Sequence, residues 1–332
     1  MITLKESEEC RKIHAKEVSN IEKLLAKEFK NRKPKSLYEP CSYALQGGGK
    51  RIRPFLVLIS AQAAGGNTKD VYSAALSVEL LHNFTLVHDD IMDNSLLRRS
   101  KPTLHTKYNI STAILAGDNL VALAYEILLR DCCEFSKNVV STFTDGIIEV
   151  CEGQSLDKEF EIRKSVSIDE YKVMIYKKTA ALAEMCCSIG AQLAGANKRL
   201  INAAKNYGKY LGMAFQIKDD LLDIIGNEDS FGKIIGSDLI EGKKTYLFLR
   251  ALQKAKGKDK KDLLLVVKNN GIKKEEVNKY KKIYEKLGVL EDAKNEIVGY
   301  TDIAIKNLNK FPNRKGRLLM EWLAYSLIGR NK

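Results

Sequence analysis

Two Asp-Asp-x-x-Asp triads lie far apart in this chain, and each follows a long apolar stretch with helix-like periodicity. They are Asp89-Asp90-Ile91-Met92-Asp93 and Asp219-Asp220-Leu221-Leu222-Asp223. Because residues i and i+4 of a helix share a face, the first and last aspartate of each triad can present convergent oxygens. Carboxylates crowded beside apolar residues repel one another unless cations lie among them. The pattern predicts that both triads bind hard divalent cations such as Mg²⁺, which take oxygen ligands and share remaining sites with phosphates.

Cationic residues occur both before and after the first triad in the chain. Arg98-Arg99 comes one loop after it, and residues 47–54 place Lys50, Arg51 and Arg53 behind three glycines. Glycines let backbone N–H groups approach an anion, and arginine gives a phosphate two parallel hydrogen bonds. An exposed basic turn has the same composition, so this segment alone leaves both interpretations open. It is not a nucleotide-binding P-loop, because no GxxxxGK[ST] pattern follows a strand.

Several polar residues near the second triad are further candidates for a phosphate site. Gln216 lies one position off a full helical turn before Asp219, so it can face the same cavity. The glycine-punctuated loop after the triad is a candidate lid that closes on a diphosphate. Each candidate, taken singly, is equally compatible with an ordinary surface residue. The set comprises Lys178, Thr179, Gln216, Lys233 and Lys243.

Two histidines have two interpretations each. His82 lies almost two turns before Asp89 and is either a ligand-binding residue or a buried, hydrogen-bonded core histidine. His88 directly precedes Asp89 and either orients that carboxylate or packs in the core.

The elements that must position these residues are helices, because apolar residues recur near every 3.6 positions and alternating strand patterns are absent. A first amphipathic helix surrounds residues 21–29, and long helices are predicted over 70–93, 111–130, 138–152, 180–195 and 199–225. Ser167-Ile168-Asp169-Glu170 has capping-box spacing and predicts a helix start. Residues 31–54 and the glycine loop 226–244 interrupt the pattern, and shorter helices end with residues 318–328. The pattern predicts an all-α fold, a large bundle with buried central helices.

Composition favours a single domain over residues 1–332, since 45% of residues are hydrophobic and no Gly/Ser-rich or Pro-rich linker divides the chain. No apolar run approaches the roughly 20 residues that span a bilayer, so no integral membrane segment is expected. Residues 1–12 are charged and lack an apolar signal core. The seven cysteines form no CxxC pair and have no companion histidine cluster. They are interpreted as reduced core residues of a cytoplasmic protein.

The formal net charge of +13 predicts an anionic partner. Nucleic acid, an anionic membrane and phosphate-bearing substrates all qualify. Much of the excess lies in residues 254–261 and 273–282, which are interpreted as solvated helix faces and loops. Nucleic-acid binding is disfavoured, because the basic residues lack a helix-turn-helix or stacking-aromatic context.

Taken together, these motifs resemble the trans-isoprenyl diphosphate synthases, or polyprenyl synthetases. The resemblance runs in order over about residues 40–250 and is strongest to archaeal-type geranylgeranyl diphosphate synthases. It rests on Gly48-Gly49-Lys50-Arg51-Ile52-Arg53-Pro54, His82, Asp89-Asp90-x-x-Asp93, Arg98-Arg99, Lys178-Thr179, Gln216-Ile217-Lys218-Asp219-Asp220-x-x-Asp223, Gly232-Lys233 and Asp238-Leu239-x-Glu241-Gly242-Lys243.

The resemblance implies a homodimeric all-α enzyme of the isoprenoid synthase type, with a central cavity where both triads bind three Mg²⁺ ions, replaceable by Mn²⁺. It implies that isopentenyl diphosphate condenses with dimethylallyl, geranyl or farnesyl diphosphate, and that the released diphosphate acts as the base. Isopentenyl diphosphate would bind to Lys50, Arg53, His82 and Arg99. The allylic diphosphate would bind to Arg98, Lys178, Lys233 and Lys243, with Thr179 and Gln216 offering oxygen dipoles to the carbocation.

Product length is expected to depend on residues that precede the first triad. Phe84 lies five positions before Asp89, without a two-residue insertion in the triad, a combination that resembles archaeal-type geranylgeranyl diphosphate synthases. Five residues of helix place it about 7.5 Å below the metal site, although an ideal helix turns it about 140° away from Asp89. Phe84 therefore has two interpretations. It either closes the bottom of the pocket, which requires a kink or a neighbouring helix, or simply fills the core. Thr85 is small and argues against stopping at farnesyl, and Leu81 is the next candidate stop.

Other activities remain open at this point. The same chemistry could end at farnesyl diphosphate or beyond geranylgeranyl diphosphate. A terpene cyclase shares an aspartate-rich metal site but needs neither the second triad nor the loop with Lys50 and Arg53. A non-catalytic partner subunit is disfavoured, because all six triad aspartates are present.

Overall fold

The computed structural model describes residues 2–130, 136–226 and 235–329, and this part of the chain is almost entirely helical. Two 3₁₀ turns cover Thr68–Val71 and Lys274–Glu276, and a π-helical turn covers Tyr176–Ala180. In chain order the helices are α1 (Leu4–Phe29), α2 (Lys35–Leu45), α3 (Ile52–Ala64), α4 (Tyr72–Met92), α5 (Leu104–Lys107), α6 (Ile110–Leu128), α7 (Ser136–Ile162), α8 (Ile168–Ile175), α9 (Ala181–Leu193), α10 (Lys198–Ile225), α11 (Ser237–Ile240), α12 (Tyr246–Lys254), α13 (Gly257–Asn269), α14 (Val277–Lys286), α15 (Val289–Leu308) and α16 (Arg314–Ile328).

The prediction of an all-α fold is confirmed. Among the described residues, the only strands are β1 (Leu97–Arg98) and β2 (Lys101–Pro102), which pair in an antiparallel hairpin. The predicted capping box opens α8: the Glu170 N–H donates to Ser167 Oγ at 3.1 Å, and the Ser167 N–H donates to Glu170 Oε2 at 2.8 Å. The predicted helix over residues 138–152 extends further, because α7 continues to Ile162.

Residues 31–54 were predicted to interrupt the helical pattern. This prediction is wrong in part, because the segment contains the helix α2. Pro40 lies inside α2 and obscures the local helical pattern. Cys41 and Leu45 are buried one turn apart, and the Cys41 Sγ lies 3.6 Å from the Ala116 carbonyl oxygen of α6. Packing against α6 therefore stabilises a helix that local propensity does not indicate.

The core lies around α3, α4, α9 and α10, which carry most of the fully buried apolar residues. One buried cluster joins α1–α4, α6, α7 and α9 with the first half of α10 and the last two helices. A second joins α8 and the end of α10 with α12–α15. Because α10 passes from the first cluster to the second between Leu211 and Met213, its C-terminal triad lies in the second cluster. The single-domain organisation stays a prediction.

One described helix, α6, is long and apolar enough to cross a membrane by length and composition alone. Core helices meet the same test, and less than half of its apolar stretch is buried. This helix is therefore weak evidence for a membrane-spanning segment. The sequence had led us to expect no apolar run of that length.

The described cysteines are all free thiols. Cys10, Cys41, Cys186 and Cys187 are buried, as predicted. The prediction is wrong for Cys151, which lies on the exposed side of α7 beside Glu152. Cys132 and Cys133 lie outside the described residues.

Candidate active site

The first aspartate triad lies at the C-terminal end of α4, where cations from two other segments reach it. Arg98 Nε donates to Asp90 Oδ1 at 2.8 Å and to Oδ2 at 3.0 Å. Lys158 of α7 donates from Nζ to Asp93 Oδ1 at 2.6 Å. Burial and paired cations therefore hold Asp90 in place, whereas Asp93 is exposed at the rim.

The second triad lies at the C-terminal end of α10, and Asp220 is its most enclosed member. Its Oδ2 accepts hydrogen bonds from the Tyr171 hydroxyl at 2.5 Å and the Tyr246 N–H at 2.9 Å. Its Oδ1 accepts from Gln216 Nε2 at 3.2 Å. Burial, and next the charge of Asp238, raises the pKa of Asp220 to about 7. Three hydrogen bonds therefore hold Asp220 in an environment that destabilises its negative charge.

Asp223 joins the second triad to the segment that follows it. Ser237 Oγ donates to Asp223 Oδ1 at 2.7 Å, and the Asp238 N–H donates to Oδ2 at 3.3 Å. These bonds tie the start of α11 to the end of α10 and bring Asp238 beside the triad.

An open pocket of about 230 Å³ lies over the second triad. Its apolar residues Phe160, Met174 and Ile175 come from α7 and α8, and α7 also contributes two carboxylates. Further polar residues come from α10, the π-helical turn and residues 238–245. The predicted site residues that line it are Lys178, Thr179, Gln216, Asp219, Asp220, Asp223 and Lys243. The structure therefore brings together residues spread over 66 positions of the chain, from 178 to 243.

An ion pair in the pocket wall acts electrostatically on the first triad. Lys178 Nζ donates to Asp157 Oδ2 of α7 at 2.5 Å, and both residues line the pocket. Burial raises the pKa of Asp89, the Lys178 charge opposes that shift, and the Asp157 charge adds to it. Among the described residues, no three Asp, Glu, His or Cys side chains converge as a metal-binding group. Lys178 and Asp157, which line the pocket beside the second triad, therefore also influence Asp89 of the first triad.

Lys178 and Thr179 are presented by the π-helical turn, which two glycines allow. A Cβ on Gly153 of α7 would lie 2.2 Å from the Lys178 backbone nitrogen, and one on Gly212 of α10 would lie 2.5 Å from Ala180 Cα. Only glycine allows both helices to approach this wide turn so closely. Thr179 Oγ1 then donates to Gln216 Oε1 at 2.9 Å, which links the turn to Asp220.

Arg51 anchors the basic loop that precedes α3. Unlike Lys50 and Arg53, it was not predicted to bind a diphosphate. Arg51 is 4% exposed and pairs with buried Glu79 of α4, with Glu22 at 2.7 Å and with the Leu45 carbonyl oxygen at 2.6 Å. Its left-handed backbone, with φ of 46°, is rare for an arginine. The buried ion pair therefore sets the direction in which the loop enters α3.

Arg53 and His82 lie against each other beneath this loop. Arg53 Nη1 lies 3.2 Å from His82 Nε2, and arginine can only donate, so His82 Nε2 accepts and its proton lies on Nδ1. Burial, and next the Arg53 charge, holds the pKa of His82 well below its usual value. Arg53 Nε and His82 Nδ1 are buried and have no protein partner in the described chain. Two buried donors without acceptors are what an anionic ligand would satisfy.

Arg99 and Lys50 complete this basic region. Arg99 donates from Nη1 to the Gly48 carbonyl oxygen. A Cβ on Gly49, whose φ is 136°, would lie 2.7 Å from Arg99 Nη1, so this position requires glycine. Lys50 is exposed at the edge of the loop. The Arg99 and Arg53 charges both act on His82, which places the predicted residues in one neighbourhood.

The predicted chain-length residues lie below this region on α4. The Phe84 ring packs edge-on against His88 at 4.7 Å, Thr85 Oγ1 donates to the His82 carbonyl oxygen at 2.8 Å, and Leu81 is 1% exposed in the core. None of the three lines the described pocket over the second triad. The helical turn indeed directs Phe84 away from that pocket, so its role as a floor stays a prediction.

The lid residues are described only in part. Lys243 lines the pocket and lies 2.7 Å from Glu241 and 3.5 Å from Asp238. Lys233, with Gly232, lies outside the described residues.

The polyprenyl synthetase family model matches residues 34–287, a span that holds both triads, the basic loop and the pocket. This chain belongs to the polyprenyl synthetase family. The resemblance that the motifs indicated is thereby confirmed.

Relatives and solved structures agree with this membership. The geranylgeranyl diphosphate synthase of Saccharolobus solfataricus is 39% identical over 326 residues, covering 96% of this chain and 98% of that protein. The geranylfarnesyl diphosphate synthase of Natronomonas pharaonis is 35% identical over 318 residues, covering 90% and 92%. The crystal structure of geranylgeranyl pyrophosphate synthetase from Pyrococcus horikoshii superposes with a TM-score of 0.89 at 35% identity, covering 98% and 99%.

The polyprenyl synthetase site has the donor set that a divalent cation requires. The carboxylates of the second triad line one pocket, and burial raises the pKa of both Asp220 there and Asp89 of the first triad. A raised carboxyl pKa reports that the negative charge is destabilised, and a nearby cation would relieve it. Hard oxygen ligands of this kind fit Mg²⁺ or Mn²⁺.

The sequence analysis missed three residues of the site. Asp157 and Tyr171 line the pocket, and Asp238 acts electrostatically on Asp220. Asp238 lies within a motif that carries the family resemblance, so a signal for it was present. Asp157 and Tyr171 have no local signal, because each becomes notable only through its partner on another helix.

Proposed function

We propose that this protein is a short-chain trans-prenyltransferase that condenses isopentenyl diphosphate with allylic diphosphates and yields geranylgeranyl diphosphate. The allylic substrates are dimethylallyl, geranyl and farnesyl diphosphate, joined head to tail. The observation that carries this proposal is that each triad lies with cations: the second triad lines one pocket with Lys178 and Lys243, and Asp90 of the first triad lines another with Arg98 and Arg99 of the basic region. Two sites for diphosphate, side by side, are what this condensation requires.

The pocket over the second triad is the proposed allylic site. Lys178, Lys243 and Arg98 would hold the allylic diphosphate, with Lys233 as a further candidate. Thr179 Oγ1 and Gln216 Oε1, which already lie 2.9 Å apart, orient oxygen dipoles toward the developing carbocation. The apolar side chains of Phe160, Met174 and Ile175 exclude water from the reactive chain.

The basic loop is the proposed site of isopentenyl diphosphate. Arg53 Nε and His82 Nδ1 offer the two buried donors that lack a protein acceptor. Arg99 and the exposed Lys50 would reach the same diphosphate from the loop edge. After the new bond forms, the proton lost from the condensed chain passes to the released diphosphate.

Mg²⁺ is the proposed cofactor, as three ions that Mn²⁺ can replace. The triad residues Asp89, Asp90, Asp93, Asp219, Asp220 and Asp223 would hold them. When bound, such ions neutralise the charge that develops on a departing diphosphate. The ion pairs of Arg98 with Asp90 and Lys158 with Asp93 keep the first triad oriented and balance its charge.

Geranylgeranyl diphosphate is the proposed product, with farnesyl diphosphate or a longer chain as the alternative. The name of the Saccharolobus relative supports the former, and that of the Natronomonas relative shows that longer products occur at similar identity. Phe84, Thr85 and Leu81 remain the proposed determinants of length.

A homodimer in a reducing compartment such as the cytoplasm is also part of the proposal. The outer face of α6 exposes Ile110, Ile114 and Leu115, an apolar surface suited to a second copy. The free thiols of the described cysteines fit a reducing compartment.

The test is incubation with radiolabelled isopentenyl diphosphate and each allylic primer in turn, with and without Mg²⁺. We expect geranylgeraniol to dominate after phosphatase treatment, and no product without the metal. A terpene cyclase would consume the allylic substrate and leave isopentenyl diphosphate untouched. That outcome would refute the proposed condensation.

A further inference from the structure

A strongly basic surface lies on α13 and α14, and the proposed reaction makes no use of it. Residues 254–286 contain 12 lysines and 5 acidic residues, a net charge of +7 within a chain of net charge +13. Solubility alone does not require such a local concentration of one sign. The excess indicates an anionic partner for this surface.

The exposed face of α13 combines these lysines with apolar residues. Leu263 and Val266 are buried against the protein, whereas Leu264 and Leu265 are 51% and 45% exposed. Lys261 lies three positions before Leu264 and four before Leu265. Lys268 lies four positions after Leu264 and three after Leu265. Helical spacing puts all four on one side of the helix. Lys258, also exposed, lies one further turn toward the N-terminus.

The acidic residues of α13 are engaged on its inner side. Asp259 accepts from Lys286 Nζ at 2.7 Å, and Asp262 lies 3.0 Å from Lys279 Nζ, both on α14. Within residues 2–130, 136–226 and 235–329, no ion pair forms with Lys258, Lys261 or Lys268. The outer face of α13 therefore presents positive charge and leucine side chains to the surroundings.

The C-terminal end of α13 is close to the pocket in the fold. The residues after α13 pack directly on the segment that leads to the pocket: a Cβ on Gly242 would lie 2.7 Å from the Asn270 carbonyl carbon. The next residue, Lys243, lines the pocket. The C-terminal end of α13 therefore connects this helix to the segment that lines the pocket.

We propose that the exposed face of α13 docks the protein peripherally on an anionic lipid bilayer. The leucine pair would enter the boundary between headgroups and acyl chains, while the lysines extend their charges to anionic headgroups. Nucleic acid would satisfy the lysines but offers no apolar surface for two adjacent leucines. The docking itself does not depend on the enzyme's activity. Its use, delivery of a prenyl product to the bilayer, rests on the proposed function.

The test is co-sedimentation of the full chain, without substrate, with vesicles of phosphatidylcholine or of an equimolar mixture of phosphatidylcholine and phosphatidylglycerol. We expect binding to the anionic vesicles only, weakened by salt. Combining Lys258→Gln, Lys261→Gln and Lys268→Gln should weaken it about 100-fold, at roughly fivefold for each lysine. Combining Leu264→Ser and Leu265→Ser should weaken it about 20-fold, because roughly half of each side chain is free to insert.

Matched control variants test whether binding depends on the α13 face itself or on the total number of lysines and exposed apolar residues. Lys5→Gln, Lys16→Gln and Lys23→Gln remove three exposed lysines of α1, and Leu4→Ser with Ile303→Ser removes two exposed apolar residues elsewhere. Both should bind like the parent protein, and thermal unfolding verifies that every variant is folded. Equal binding to both vesicle types, no binding to either, or unchanged binding of the α13 variants would overturn the proposal. Lysine-dependent capture by duplex DNA that ignores the leucine substitutions would assign the face to nucleic acid instead.

Discussion

The π-helical turn that presents Lys178 and Thr179 should tolerate no side chain at Gly153. In Gly153→Ala, the new Cβ would lie 2.2 Å from the Lys178 nitrogen and 2.6 Å from the Lys177 carbonyl carbon. An ordinary contact begins at 3.4 Å, so α7 or the turn must move by about 1 Å. The obstacle is backbone rather than a flexible side chain, and cannot rotate away.

Two effects on stability partly cancel. Overpacking costs about 1–3 kcal/mol, while replacing glycine by alanine within a helix gains about 0.5–1 kcal/mol. The variant should therefore fold with a modestly lower melting temperature. Misplacing a catalytic group by 1 Å costs about 100-fold in rate, so we expect turnover to fall by that order while the KM for isopentenyl diphosphate changes little.

Steady-state kinetics with labelled isopentenyl diphosphate and thermal unfolding by circular dichroism measure both effects. The matched control is Gly299→Ala in α15, where a Cβ would meet no atom within 4 Å, and we expect a small gain in stability with unchanged turnover. Gly212→Ala, which approaches Ala180 Cα to 2.5 Å from the other side, should act like Gly153→Ala. If Gly153→Ala keeps turnover within about threefold of the parent enzyme, the positioning role of the turn is wrong.

Asp219→Ala should lower turnover by two or more orders of magnitude in the labelled assay, because it removes a proposed metal ligand, and near-normal turnover would contradict that role. Glu79→Gln leaves the buried Arg51 charge with Glu22 as its remaining carboxylate partner and should cost about 1–3 kcal/mol in urea denaturation; a loss below about 0.5 kcal/mol would exclude a stabilising pair. The pKa of Asp220 rises from 3.8 to about 7 on folding, so the folded state holds this proton more tightly and loses stability as pH rises from about 4 to 7. Asp220→Asn should remove that loss in urea titrations with chelator, and parallel pH curves for the two proteins would refute it. Phe84→Ala should lengthen the products seen by chromatography, whereas an unchanged product would exclude this ring as the floor.

The candidate site residues could be located along the chain from the sequence because their signals are local. Two aspartate triads, a glycine-rich basic loop and the Lys178-Thr179 pair are contiguous motifs, and helical periodicity places them at helix ends. The same periodicity predicted α4 and α10 to within a few residues. It missed α2, where burial of Cys41 and Leu45 against α6 outweighs an internal proline.

The partner of each charged group was decided only by the tertiary structure. Arg51 looked like one of three loop cations, yet it pairs with Glu79, 28 residues away, and leaves Arg53 and His82 to offer unpaired donors. Asp157 acquires its meaning from Lys178, and the π-helical turn that carries Lys178 exists where Gly153 and Gly212 leave room for it. A local pattern records which side chains share a helix face. Which faces meet across the bundle depends on packing between helices that are distant in the chain, and no local pattern contains that information.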